Sequence, residues 1–134
     1  MDTFTKEQRS RVMGRIRSTN TQAEIAVRRI LHRAGYRFRL HSKVLPGKPD
    51  IVLPKYRAAI FVHGCFWHGH HCKDGRRPKS NTAYWEKKLG RNIERDAETA
   101  QRITSSGWKH IVVWACEIGN EELLLERLRK DLIP

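Results

Sequence analysis

The sequence predicts an α/β fold, a mixed four-stranded sheet flanked by helices, and two observations carry that prediction. Segments with apolar residues at helical spacing alternate with short apolar or alternating runs, in the order α, α, β, β, β, α, β, α. No repeat, low-complexity tract or linker interrupts the 134 residues, a length near the commonest single-domain size, so one domain over 1–134 is expected.

Thr5 and Gln8 have capping-box spacing and open a first helix rich in Arg9, Arg11, Arg15 and Arg17, with few apolar residues. Residues 1–20 therefore read as a basic arm or helix that orders on a ligand. A second capping box, Thr21 and Glu24, opens a helix that ends at Gly35 and carries Ala23, Val27, Ile30, Leu31 and Ala34 on one face. Tyr36 to Leu40 alternates and reads as a strand; Ile51 to Leu53 follows the turn Pro46-Gly-Lys-Pro49; Ala58 to Val62 is continuously apolar, as a central strand is. From Thr82 a long helix carries Trp85, Leu89, Ile93, Ala97 and Ala100 and stops at Ser105-Ser-Gly107. Trp108 to Ala115 is the fourth strand, and Asn120 to Leu132 a closing amphipathic helix.

Twenty-seven Lys and Arg against fourteen Asp and Glu leave a net charge of +13, which suits a polyanionic partner. A membrane is the weaker choice, because no apolar stretch approaches the roughly 20 residues needed to span one and the N-terminus lacks a signal-peptide core. A cytoplasmic protein facing nucleic acid is expected. The polar stretch Lys73 to Asn81 is either a functional loop or a solvated basic one.

The densest information is His63-Gly-Cys-Phe-Trp-His-Gly-His-His-Cys72, with two cysteines and four histidines in ten residues. Three thiols in all, two of them in this segment, favour metal over disulfides. Cys65, Cys72, Cys116 and one histidine would complete a closed Cys3His zinc site that pins this loop to the end of a strand. Taken alone, Cys116 reads as a small buried hydrophobe. A closed site leaves His63, His68 and one of His70 and His71 for other work, either general-base chemistry in hydrolysis or support of the metal.

Hydrolysis of a phosphodiester needs charge neutralisation, usually by Mg²⁺ held on one or two carboxylates and phosphate oxygens. Asp50 follows a tight turn and opens a strand, where it is either a cleft carboxylate or an ordinary turn residue. Asp96 lies eleven residues after Trp85 and seven after Leu89, so it shares their inward stripe. Positions 92, 93, 99 and 100 hold no basic residue to pair with it. Glu24 reads as structural, accounted for by its capping box and by Arg28 one turn on. Phe66, Trp67 and Trp85 either wedge between bases or cap the core.

These residues together resemble the very-short-patch repair (Vsr) endonuclease family: Leu-Pro-Gly-Lys-Pro-Asp50, His63-Gly-Cys-Phe-Trp-His68, His70, Cys72, Asn92-Ile-Glu-Arg-Asp96 and Val113-Trp-Ala-Cys116 stand in matching order over nearly the whole chain. The resemblance implies a core like that of PD-(D/E)xK restriction nucleases and a Mg²⁺-dependent nick 5′ of the thymine of a T:G mismatch in double-stranded DNA. It further implies that Asp50 and the main-chain carbonyl of Val62 bind Mg²⁺, that His68 activates water, and that His63, Asp96 and Glu24 complete the site. Cys65, His70, Cys72 and Cys116 would hold zinc, and Met13, Phe66, Trp67 and Trp85 would contact the mismatch, making 63–82 a zinc and DNA-contact loop. A monomer acting on the bacterial nucleoid, followed by other repair proteins, is the expected setting. Three spellings depart from the pattern: Phe61-Val62-His63 replaces the second acid and lysine, Val62 stands where threonine is more usual, and Gly69 interrupts the histidine run. A non-catalytic zinc-stabilised DNA-binding module and a nuclease of the same fold with another target remain the alternatives.

Overall fold

The computed structural model describes residues 21–65, 67, 68, 70–72 and 79–133. The expected first helix with its basic arm, Met13, Phe66 and most of the Lys73–Asn81 loop lie outside them. Helix α1 spans Gln22–Arg33, strands β1, β2 and β3 span Arg39–Leu40, Ile51–Leu53 and Ala58–His63, helix α2 spans Thr82–Ser105, strand β4 Lys109–Trp114 and helix α3 Glu121–Asp131.

The sheet order is β1-β2-β3-β4. β2 pairs antiparallel with both β1 and β3, while β3 and β4 run parallel. A parallel neighbour demands a crossover, and α2 supplies it. The inner strand β3 is the continuously apolar run expected there. Its Ala58 and Ile60 pack with Val27, Ile30 and Leu31 of α1 and Leu124 and Leu128 of α3. Ala59 and Phe61, on the other face, meet Ile103 of α2. Each Val, Leu, Ile or Phe among them contributes roughly 1.5–3 kcal/mol when fully buried, which is what holds three helices to so short a sheet.

Helix ends follow the local chemistry. Thr21 Oγ1 accepts from Glu24 N–H at 3.2 Å and caps α1, while Asn120 Oδ1 accepts from Leu123 N–H at 3.1 Å and caps α3. Gly35 (φ 87°) and Gly107 (φ 84°) stop α1 and α2 in the same way. Tyr36 and Trp108 donate back to Leu31 and Ile103 while the glycines donate to His32 and Thr104, so two otherwise orphaned carbonyls are satisfied at each end.

Three expectations need correction. The strand expected over Tyr36–Leu40 shrinks to Arg39–Leu40: Pro54 opens a 3-10 turn opposite Arg37 and ends the pairing, and Tyr36 and Phe38 pack on the core instead. The fourth strand loses Trp108 to the end of α2 and Ala115 to a 3-10 turn over Ala115–Gly119. The inward stripe of α2 is not the apolar series either: Ile93 is 39% exposed and Ala97 is exposed. Steps of four residues advance about 400°, so a series taken in fours drifts off the face. The face that turns inward runs Leu89, Asn92, Asp96, Thr99, Ile103, and its middle is polar because it fronts a cleft.

Candidate active site

The cleft, about 530 Å³, opens where α1, α2 and the C-terminal end of β3 meet. Residues on one face of β3 and β4 reach it together, since the parallel register sets Ala59 beside His110 and His63 beside Trp114. Glu24, Asp50, Val62, His63, His68 and Asp96 all line it. Residues spread from α1 to α2 thus converge on one volume.

Asp50 stands just before β2. Past Ile51 the edge of β3 has no strand partner, and Val62 N–H donates to Asp50 Oδ2 at 2.7 Å instead. Burial and then the neighbouring Glu24 carboxylate push the Asp50 carboxyl up to about 7, against the lowering effect of the Val62 bond. Two acids forced together out of water form a site that a cation relieves. Glu24 is not the surface ion pair its spacing suggests. It is 2% exposed, and Arg28 Nη2 donates to its Oε2 at 3.2 Å.

Across the cleft, His68 Nδ1 and Asp96 Oδ2 lie 2.6 Å apart, joining the loop after β3 to the middle of α2. The expected inward direction of Asp96 is therefore observed. His63 stacks on His68, ring centroids 3.8 Å apart and 5° from parallel. Burial, then the adjacent His68, pull the His63 pKa down to about 4, so at neutral pH it is an uncharged neighbour. Its buried Nδ1 has no partner among the described residues, as a group awaiting a polar ligand would.

A second cluster lies beside the first. The sulfurs of Cys65, Cys72 and Cys116 and a ring nitrogen of His70 are all within 4.8 Å of one another. His70 rather than His71 joins the thiols, held by stacking on Trp114 at 4.2 Å, and its Nδ1 lies 3.6 Å from Cys116 Sγ. A tetrahedral ion with metal–sulfur bonds of ~2.3 Å and metal–nitrogen bonds of ~2.0 Å spaces S and N by about 3.6 Å, so the donors fit one. Cys116 is exposed, which rules out its reading as a buried hydrophobe. Burial raises the Cys65 thiol pKa, a direction that a bound metal opposes.

Trp67 and Trp85 meet edge to face at 5.9 Å, neither belonging to the core, and Asn92 Nδ2 donates to the Trp67 carbonyl at 2.9 Å. Sequence reasoning missed His41, Lys48, Arg95 and His110. His110 lines the cleft at 5.0 Å from Phe61, and burial lowers its pKa. In the sequence it follows Lys109 at the head of an apolar strand, a pattern that gives no signal.

Paired acids, a histidine–aspartate dyad and a strongly basic chain are the equipment of an endonuclease. A sequence profile of the family DNA mismatch endonuclease Vsr matches residues 1–74. The chain is 49% identical over 133 residues to the type II nicking enzyme V.XorIIP of Xanthomonas oryzae pv. oryzae, covering 99% of this chain and 98% of that one. It is 46% identical to V.NmeAIP of Neisseria meningitidis serogroup A (96% and 92% covered) and 39% identical to the DNA mismatch endonuclease Vsr of Escherichia coli K12 (98% and 85% covered). The chain belongs to the Vsr family of DNA mismatch endonucleases. Its fold is also that of the catalytic domain of the homing endonuclease I-Bth0305I, with a TM-score of 0.58 over 84% of this chain and 94% of that one at 16% identity. Among the described residues no helix is long and apolar enough to cross a membrane.

Proposed function

We propose that this protein nicks double-stranded DNA on the 5′ side of the thymine in a T:G mismatch, with Mg²⁺ at Asp50 and zinc on Cys65, His70, Cys72 and Cys116. The observation that carries this reading is the meeting of the Asp50–Glu24 acid pair and the His68–Asp96 dyad in one cleft. Asp96, accepting from His68 Nδ1, fixes the tautomer that leaves Nε2 as the base. His68 Nε2 takes the proton of the attacking water, and Asp96 stabilises the imidazolium that results. His63, uncharged and stacked on His68, adds no second positive charge to oppose that step. Magnesium, when bound, would supply charge neutralisation at the phosphate oxygens. Asp50 would hold it from the strand side. The Val62 carbonyl would join Asp50, and support comes from the Val62 N–H, which donates to Asp50, since in a strand the N–H and C=O of one residue face the same neighbour.

Met13, Phe66, Trp67 and Trp85 contact the mismatch. Wedging between bases costs a few kcal/mol, least at a weakened pair, and this is how inserted aromatic residues favour a mismatch. Support comes from the place of Trp67 in the cleft lining next to His68, in the loop after β3, and from its edge-to-face contact with Trp85 at the head of α2.

The test is a nicking assay on two labelled duplexes differing by one T:G mismatch, with Mg²⁺ and with EDTA. The expected result is a Mg²⁺-dependent nick in the thymine strand of the mismatched duplex alone. Cleavage of both duplexes would move the enzyme to another target, and tight binding of both without cleavage would leave a binding module.

A further inference from the structure

Glu24 is buried, and a buried carboxylate needs donors to fix it. Two converge on the same oxygen, Oε2: Nη2 of Arg28 at 3.2 Å and Nε2 of His41 at 3.1 Å, the two donors being 3.4 Å apart. Arg28 lies one turn along α1 from Glu24 and moves with it. His41 comes from the segment after β1, and its main-chain N–H donates to the Asp50 carbonyl at 3.1 Å. His41 is therefore bonded to both acids, through its side chain to the helix and through its backbone to the sheet.

The backbone at His41 has φ 47°, a left-handed conformation in which a Cβ is strained and glycine is not. A strained residue whose side chain grips a site residue points to a constraint set by function. The ligand atoms of Glu24, His41 and Asp50 lie within 4.8 Å of one another, but Nε2 of His41 is engaged by Glu24 Oε2 at 3.1 Å, so the imidazole acts on the carboxylate it holds.

We infer that His41 is a positioning residue of the cation site, clamping Glu24 against Asp50 so that a divalent ion meets two acids already oriented. The inference rests on the Mg²⁺-dependent reading above and adds the element that couples α1 to the sheet.

The test compares the full-length wild type with His41→Gly. Three quantities are read: the Mg²⁺ concentration for half-maximal nicking against the maximal rate, the Mn²⁺ affinity by calorimetry, and the melting temperature without divalent ions. Residues that orient metal-binding groups typically govern about 10–100-fold in metal affinity, so half-saturating Mg²⁺ is expected to rise at least about tenfold, with a smaller change in maximal rate. Mn²⁺ affinity is expected to fall in parallel, while the melting temperature holds or rises because glycine accepts the backbone angle. His41 is 31% exposed, so added imidazole can reach the vacated space and is expected to restore part of the affinity, as is His41→Gln, whose amide keeps a donor. Unchanged Mg²⁺ and Mn²⁺ dependence in the glycine variant would overturn the inference. So would a drop in melting temperature with equal losses of rate and affinity that neither imidazole nor glutamine repairs. A wild type that does not nick would overturn the function proposed above, and the calorimetric comparison would still decide the clamp.

Discussion

At the scale of single residues, the short contact between His68 and Asp96 is the one most open to test. Both side chains are about a quarter exposed, 26% and 27%, so the pair has little to contribute to stability. Its consequence is chemical: an ionised Asp96 can only accept, so the proton sits on Nδ1. In Asp96→Asn the shape is kept, but the amide can donate to Nδ1 and turn the imidazole so that its proton faces the water. Nicking under single-turnover conditions is expected to slow by about 10²–10⁴, the usual worth of a positioned base, with DNA affinity and melting temperature near wild type. A loss below tenfold would assign the proton transfer elsewhere. Asp96 is legible in the sequence because helical spacing fixes its direction and its own helix offers no basic partner. Glu24 is not, because a capping box and Arg28 account for it until its burial beside Asp50 is known. His41 escapes for a different reason: its role arises from a backbone turn that pairs β1 with β2, and no spacing along the chain encodes that meeting.

At the scale of elements, stops and caps were readable and faces were less so. Gly35 and Gly107 end their helices as local chemistry dictates, since the bonds involved lie within six residues. The inward face of α2 departs from its apolar series, because a helix that fronts a cleft turns polar residues inward. The cysteine–histidine segment shows the opposite case: spacing points to the thiols and leaves His70 and His71 open, the family resemblance implies His70, and it is the His70 ring, stacked on Trp114, that lies among the thiols. That segment follows β3, and Cys116 lies in the turn after β4, so a zinc ion held there would tie two ends of the parallel pair. About one zinc per chain is expected by elemental analysis, retained through EDTA treatment that strips Mg²⁺. Cys116→Ser is expected to lower zinc content and melting temperature together. Full stability in a zinc-free preparation would remove the structural role.

At the scale of the whole molecule, the net charge of +13 acquires a direction. A groove on α2 lined by Tyr84, Lys87, Lys88, Arg91, Asn92 and Arg95 shares its last two residues with the active-site cleft. Lys88 Nζ also lies 5.5 Å from the centre of the Trp67 ring. Positive charge thus runs from the aromatic pair along the helix into the site, a course that suits a nucleic-acid backbone. Contacts to phosphate release counterions, so log K should fall with log salt by about 0.9 for each phosphate engaged. Lys87→Ala and Arg91→Ala are each expected to lower that slope by about one and to weaken matched and mismatched duplexes equally, because phosphate contacts hold the backbone and carry no base information. Lys130→Ala, on α3 across the sheet, is expected to leave the slope as it was. Binding titrations from low to moderate salt decide the matter. If Lys130 proves as important as Lys87 and Arg91, the charge acts as a diffuse field and the groove is not the path; if the two α2 variants lose affinity for mismatched DNA alone, the groove reads the lesion instead of the backbone.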